Sequence, residues 1–300
     1  MQQHQNITDF TTSDTWIVLS VIEQKIKEKI ESVGTPLKDW NISINYGIKT
    51  GFNDAFIIST EKKNEILASC STEQERERTA EIIRPILRGR DIKRYRYDWA
   101  GLYLIATFPS KNYDINEYPA LKNFLLSIGK ERLEQTGKSY VIDGVNIKSR
   151  KKTKNQWFET QDTIAYWDDF SKPKIIYPNM TKYLPFVYDE NKFYTNQKCF
   201  IITGNNIAFL TAFFNSSLFK FCFKDNFPEL LGGTRELSKM FFEKIPVINV
   251  SSELNKEFET YIFDIQSDYT KQKAVRIDQR LFQLYKLTEE EQEYIGYIEL

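Results

Sequence analysis

The chain has 300 residues, 41% hydrophobic and 27% charged, with 41 basic side chains balanced by 41 acidic ones. That length and composition belong to a globular protein with a substantial core, organised as one large or two modest domains. They exclude a fibrous, disulfide-rich or membrane-embedded chain: Cys70, Cys199 and Cys222 are scattered without a CxxC pair, and a reducing cytoplasmic setting is expected.

The first twelve residues are polar, and the first fifteen lack the apolar core of a secretory signal. A helix is predicted from a cap at Ser13 or Asp14 to about Val33, with Trp16, Leu19, Ile22, Ile26, Ile30 and Val33 at helical spacing. Gly34, Thr35 and Pro36 end it. Residues 44 to 58 read as a short strand, a polar turn on Gly47 and Gly51, and a buried strand ending at Phe56-Ile57-Ile58, the pattern of a β-hairpin. The glycines permit positive φ or close approach of the backbone to a ligand, and Lys49, Thr50 and Asn53 project from the turn.

Between about Trp40 and Val250 the pattern is mixed. Helices are expected at Thr72–Ile83, Leu121–Gln135, Asn206–Phe223 and Glu236–Phe242, and strands at Leu102–Thr107, Lys174–Tyr177, Pro185–Tyr188 and Lys198–Thr203. No βαβ rhythm repeats, so the fold class is α+β, with a mixed sheet flanked by an N-terminal linker helix and a C-terminal helical tail. The apolar run 207 to 223 is broken by Asn215-Ser216-Ser217 and Lys220, and reads as buried helix with no membrane span. The tail is predicted helical at Ser251–Tyr269, Lys271–Gln283 and Thr288–Ile298, the last opening with a capping box, Thr288-Glu289-Glu290-Glu291. The expected segments are 1–39, 40–250 and 251–300.

Zero net charge argues against nucleic-acid binding, but its distribution reverses that inference. Residues 1–40 hold 4 basic and 6 acidic side chains and residues 251–300 hold 6 and 11, which leaves the centre with 31 and 24, a net of +7. Arg84, Arg88, Arg90, Lys93, Arg94 and Arg96 share a stretch with one acid, Asp91. Lys148, Arg150, Lys151, Lys152 and Lys154 form a second run with no acid inside it. Basic side chains interleaved with Tyr95, Tyr97, Trp99 and Trp157 suit phosphate and sugar contact; the alternative is a solvated face or a flexible loop. Further polar candidates for base readout lie near turns: Lys182, and Thr234 with Arg235 after Gly232-Gly233.

Catalytic signatures are few. His4 is the single histidine, which removes histidine-based general-base and metal chemistry, and no GxSxG, P-loop or GxGxxG occurs. Asp91-Ile92-Lys93, Glu61-Lys62-Lys63 and Glu190-Asn191-Lys192 fit half of a magnesium nuclease motif, but none has a partner aspartate in a Pro-Asp context.

Several stretches together resemble the C-terminal target recognition (specificity) domain of TaqI-like and Type IIG restriction–modification adenine-specific DNA methyltransferases. They are the 44 to 58 segment, Ile82-Ile83-Arg84-Pro85-Ile86-Leu87-Arg88-Gly89-Arg90-Asp91-Ile92-Lys93-Arg94-Tyr95, Tyr166-Trp167 with Lys172 to Pro178, and Leu231-Gly232-Gly233-Thr234-Arg235-Glu236-Leu237 with Ile245-Pro246-Val247. The tail from Arg276-Ile277-Asp278 to Glu291 completes the order. The resemblance implies sequence-specific binding of double-stranded DNA through Lys49, Thr50, Asn53, Arg88, Arg90, Lys93, Arg94, Lys148, Arg150, Lys151, Lys152, Lys154, Lys182, Thr234 and Arg235. It implies a larger parent that methylates adenine N6 with S-adenosylmethionine, and uses magnesium if it also cleaves. The parent's N-terminal methyltransferase domain would be the chain's partner. The cofactor loop and the Asn-Pro-Pro-Tyr turn of such a domain are absent here, where no Pro-Pro occurs, so no cofactor and no catalysis are expected of this chain alone. The recognition half of a phage-exclusion (BREX-type) methyltransferase, or a protein–protein module with solvated basic loops, are the alternatives.

Overall fold

A computed structural model of the chain describes residues 20–298. It is α+β, and two compact units divide it: residues 43–179 with 187–203, and residues 20–42 with 180–186 and 204–298. Both ends of the chain thus fall in one unit, a different partition from the three consecutive segments expected.

The first unit contains two four-stranded sheets. In one, Val187–Asp189 and Cys199–Gly204 flank Lys174–Pro178 antiparallel, and Ile42–Tyr46 lies beyond Cys199–Gly204. In the other, Leu102–Ile105 runs antiparallel between Ile57–Ser59 and Ile83–Leu87, and Tyr194–Thr195 adds a parallel edge. Every residue of Lys174–Pro178 is buried, consistent with its Ile-Ile-Tyr run. The shared core includes Phe56, Leu87, Leu104, Ile105, Leu121, Phe170, Ile176 and Ile201.

The segment 44 to 58 is not a hairpin. Its two strands enter different sheets, and Asn53–Phe56 between them forms one helical turn that buries Ala55 and Phe56. Gly47 is required by close approach. Its N–H donates to the Cys199 carbonyl at 2.9 Å, and a Cβ there would lie 2.0 Å from the backbone oxygen of Asn196. The close approach anticipated here is therefore, at Gly47, to the chain's own backbone.

Helices form close to expectation, with ends set by caps. Thr72 caps Glu73–Ile82, and Ile83 already belongs to a strand. The helix expected over 121–135 splits into Pro119–Ile128 and Lys130–Leu133, because Gly129 takes φ +105°.

In the second unit, the N-terminal helix runs Val21–Val33 from a Ser20–Glu23 capping box; the expected caps at Ser13 and Asp14 lie outside the described residues. The apolar run breaks into Ile207–Phe214 and Ser217–Phe223. Asn215 leaves the helix to exchange hydrogen bonds with the backbone of Phe186, and Ser216 caps the next helix through the Phe219 amide. Phe186, Phe213, Phe214, Phe219, Phe227 and Phe242 pack ring against ring around this break. Of the expected helix 236–242 only Lys239–Phe242 is helical, because Thr234–Glu236 pairs as the middle strand between Glu229–Leu230 and Met180–Thr181. Tail helices Ser252–Ser267, Lys271–Leu284 and Glu289–Ile295 follow, the last with the expected Thr288–Glu291 box. No helix among the described residues is long and apolar enough to cross a membrane.

Candidate nucleic-acid interface

The basic segment after strand Ile83–Leu87 turns sharply at Gly89–Asp91. Asp91 is buried and holds that turn. It accepts from the Arg88 amide (2.9 Å) and from Arg88 Nε (3.0 Å) and Nη2 (2.8 Å), a bidentate pair that raises the guanidinium pKa further. Arg88 is therefore committed to a carboxylate within its own turn. Arg84, Arg90, Lys93 and Arg96 remain exposed, with Lys93 Nζ donating to the Arg90 carbonyl at 3.0 Å and Arg96 pairing with Asp98 at 2.8 Å. Arg94 is half-buried, 5.4 Å from the centre of the Tyr95 ring. Asp91 of the nuclease-like triplet Asp91-Ile92-Lys93 is accordingly a turn clamp.

The second basic run splits into one buried residue and four exposed ones. Lys148, Lys151, Lys152 and Lys154 face solvent. Arg150 is only 4% exposed and donates to four backbone carbonyls: Leu133 (2.7 Å), Thr50 (2.9 Å), Glu159 (2.7 Å) and Trp157 (2.6 Å). Its guanidinium also lies 4.9 Å from the Phe56 ring centre. Burial pushes its pKa down to about 10, with Glu159 opposing, so the group stays charged at neutral pH.

Arg150 joins the second basic run to the 47–53 turn, two regions far apart in sequence. The carbonyl of Thr50 lies in the 47–53 turn, and Gly51 (φ +79°) makes room for the latch: a Cβ there would lie 3.0 Å from Arg150 Cδ and 2.7 Å from Gln161 Oε1. The Lys49 carbonyl accepts from the amides of Gln161 and Asp162. Thr50 is buried, its hydroxyl donating to Asn53 Oδ1 (2.8 Å) and accepting from the Phe52 amide (3.2 Å). Lys49 is half-buried and Asn53 exposed. The turn is thus built from Thr50, Gly51 and Arg150, and Lys49 and Asn53 are the side chains it presents.

The lysine run does not begin in a flexible loop. Ser139–Ile142 and Val145–Lys148 form an antiparallel ribbon, closed by Asp143 (φ 51°) and Gly144 (φ 77°). Two positive φ values match a two-residue type I′ turn, for which Asp-Gly between β-formers is a strong sequence signal. The sequence carries that signal in Tyr140-Val141-Ile142-Asp143-Gly144-Val145-Asn146-Ile147, next to the more conspicuous charge run.

The remaining candidates lie on the other unit. Lys182 is exposed beside Tyr183, which is 81% exposed. Thr234 is half-buried and its hydroxyl donates to the Leu231 carbonyl. Arg235 is 8% exposed; it donates to the carbonyls of Lys224 and Phe227 and to the carboxylates of Asp225 and Glu229, all within 3.0 Å. It therefore holds the turn that carries Leu231, which is 99% exposed.

These residues lie in, or next to, a recognisable domain. Residues 84–247 match the model of the TaqI-like C-terminal specificity domain, and the chain belongs to that family. Over 292 residues it is 25% identical to the Type II methyltransferase M.BstVI of Geobacillus stearothermophilus, a match covering 95% of this chain and 47% of that protein. The chain thus spans about half the length of its curated relative. The fold is shared with the Type IIG restriction endonuclease BpuSI (TM-score 0.51, 13% identity, 89% of this chain and 34% of that one). It is shared also with the Type IIL restriction–modification enzyme MmeI, solved in complex with DNA (TM-score 0.54, 13% identity, 87% and 34%).

Proposed function

We propose that the chain is the DNA-reading part of a larger restriction–modification methyltransferase that transfers a methyl group from S-adenosylmethionine to adenine N6, the target base being flipped out of the duplex. The parent's other half would hold the cofactor, and magnesium if it cleaves, while this chain confers sequence specificity without catalysis of its own. The supporting observation is that both basic segments lie within the specificity-domain match, with their exposed cations held on rigid turns. Arg90, Lys93, Lys151, Lys152, Lys154 and Lys182 serve as phosphate contacts, and Lys49, Asn53 and Lys148 sit where base edges are reached. Thr50, Arg88, Arg150, Thr234 and Arg235 act indirectly, by shaping the turns that carry those contacts. The test is duplex binding by the 300-residue chain over a salt series. Lys151→Ala/Lys152→Ala is expected to weaken binding and lower the slope of log K against log salt by about 2, roughly 0.9 per lost phosphate contact. Binding that is absent, or indifferent to salt, would leave the chain a protein-interaction module. Saturable S-adenosylmethionine binding by this chain in calorimetry would contradict the assignment of the cofactor to the other half.

A further inference from the structure

The ribbon Ser139–Lys148 stands out from the basic surface around it because its two faces differ in character. Strand alternation and the pairs Ser139↔Lys148 and Val141↔Asn146 put those four side chains on one face. The pairs Tyr140↔Ile147 and Ile142↔Val145 put an apolar set on the other. On that apolar face Tyr140, Ile142 and Ile147 are half-buried and only Val145, beside the turn, is exposed (58%), while on the other Ser139, Val141, Asn146 and Lys148 are all exposed, Val141 by 74%. An exposed face carrying an amide, an ammonium and a branched apolar group has no packing role. It does carry the groups that distinguish base pairs: Asn for adenine N6 and N7, Lys for guanine O6 and N7, and an apolar side chain for the thymine methyl.

The ribbon is also mounted rigidly. At its base Tyr140 OH donates to Glu134 (2.7 Å), and Ser149 Oγ bonds Thr136 Oγ1 (2.9 Å) and the Lys138 carbonyl (2.9 Å). Gly137 N–H donates to the carbonyl of Arg150, the buried residue whose guanidinium reaches four backbone carbonyls in three segments. Around it, residues 130–154 hold eight basic and three acidic side chains, a net of +5. That charge selects a polyanion as the occupant, and dimensions select which part of it. Two strands about 4.8 Å apart, with side chains, make a body roughly 10 Å wide, and four residues per strand extend it by about 13 Å. The major groove, about 12 Å wide and 8.5 Å deep, admits such a ribbon to its floor, whereas the minor groove, about 6 Å wide, does not.

We infer that this ribbon enters the DNA major groove and that Asn146 and Val141, paired across it, read adjacent base edges, with Lys148 beside them. The inference rests on the DNA-recognition reading above and names a specificity element within it. Selection of bound duplexes from a random-sequence library by the 300-residue chain tests it, with Asn146→Ala, Asn146→Asp and Val141→Ser compared against wild type at fixed salt. These exposed positions leave the fold intact, which circular dichroism checks. Asn146→Ala is expected to lower the preference at one base pair by about 5- to 150-fold while leaving the salt slope unchanged. Asn146→Asp replaces amide donors by an acceptor and is expected to exchange adenine for cytosine at that position, and Val141→Ser to relax a neighbouring thymine. A wild-type motif that all three variants retain, or wild-type binding without a motif, would overturn the ribbon's role and leave DNA binding standing. Failure of the wild-type chain to bind any duplex would remove both readings.

Discussion

Replacing Arg150 by methionine keeps the volume of the side-chain stem and removes the guanidinium from its cage of four carbonyls. Each bond from a charged donor contributes about 1.5–3 kcal/mol in isolation, so simple addition would reach roughly 6–12 kcal/mol. That sum overstates the effect. The four bonds share one donor group and are not additive, and the desolvation that pushes the guanidinium pKa down to about 10 opposes them. Disrupting a buried charged network typically costs about 3–5 kcal/mol, and this is the expected loss for R150M in urea denaturation of the full chain. Arg150→Lys keeps the charge without the fork and is expected to lose about half as much. Because the folded pKa lies below the unfolded value, the folded state holds this proton less tightly. Ionisation of Arg150 then changes stability only above about pH 10, where stability rises with pH. The difference between wild type and R150M should therefore be flat from pH 5 to 9. Hydrogen exchange would locate the loss at the amides of Gly137, Ser149 and Gln161, whose acceptors belong to the latched segments. An R150M chain within about 0.5 kcal/mol of wild type, with unchanged protection at those amides, would refute the latch.

Gly47→Ala is expected to destabilise by 3 kcal/mol or more, about the effect of a severe backbone clash, since its Cβ would meet rigid backbone at Asn196; a normal melting curve for G47A would show that the neighbouring strand can yield. Lys174 and Asp189 form a fully buried ion pair at 2.6 Å, so Lys174→Met should cost about 3–5 kcal/mol. Asp189→Asn in the same chain should recover part of that loss, and equal stability of the single and double variants would argue against an uncompensated buried carboxylate as the cause. The hydrogen bonds from Arg280 lower the pKa of Glu257, joining helices Ser252–Ser267 and Lys271–Leu284. A depressed carboxyl pKa stabilises above the unfolded value near 4.5 and loses that contribution as pH falls through the folded one. Thermal melts of Glu257→Gln and wild type should therefore separate above pH 5 by less than about 1 kcal/mol and converge as pH falls through the depressed pKa; curves parallel from pH 7 into the acid range would refute the linkage.

Local chemistry was legible in the residues themselves. Thr72, Ser251, Thr270 and Thr288 each cap the helix that follows, because a side-chain oxygen next to a helix start satisfies an amide without help from elsewhere. The order of motifs also pointed to the family whose model matches residues 84–247. Tertiary structure decided the rest. Asn215 ends a helix in the middle of an apolar run because the backbone of Phe186, 29 positions away, offers it two hydrogen bonds. The 44 to 58 segment resembles a hairpin locally, yet its second strand finds a better partner in Leu102–Ile105. The site residues divide for the same reason. A run of basic letters does not reveal which cation is solvated and which is inside, and Arg150 is set apart from its exposed neighbour Lys151 by the carbonyls that Thr50, Leu133, Trp157 and Glu159 bring to its guanidinium fork. Those acceptors lie up to 100 positions away, so only the closed fold distinguishes the residue that holds the surface together from those that form it.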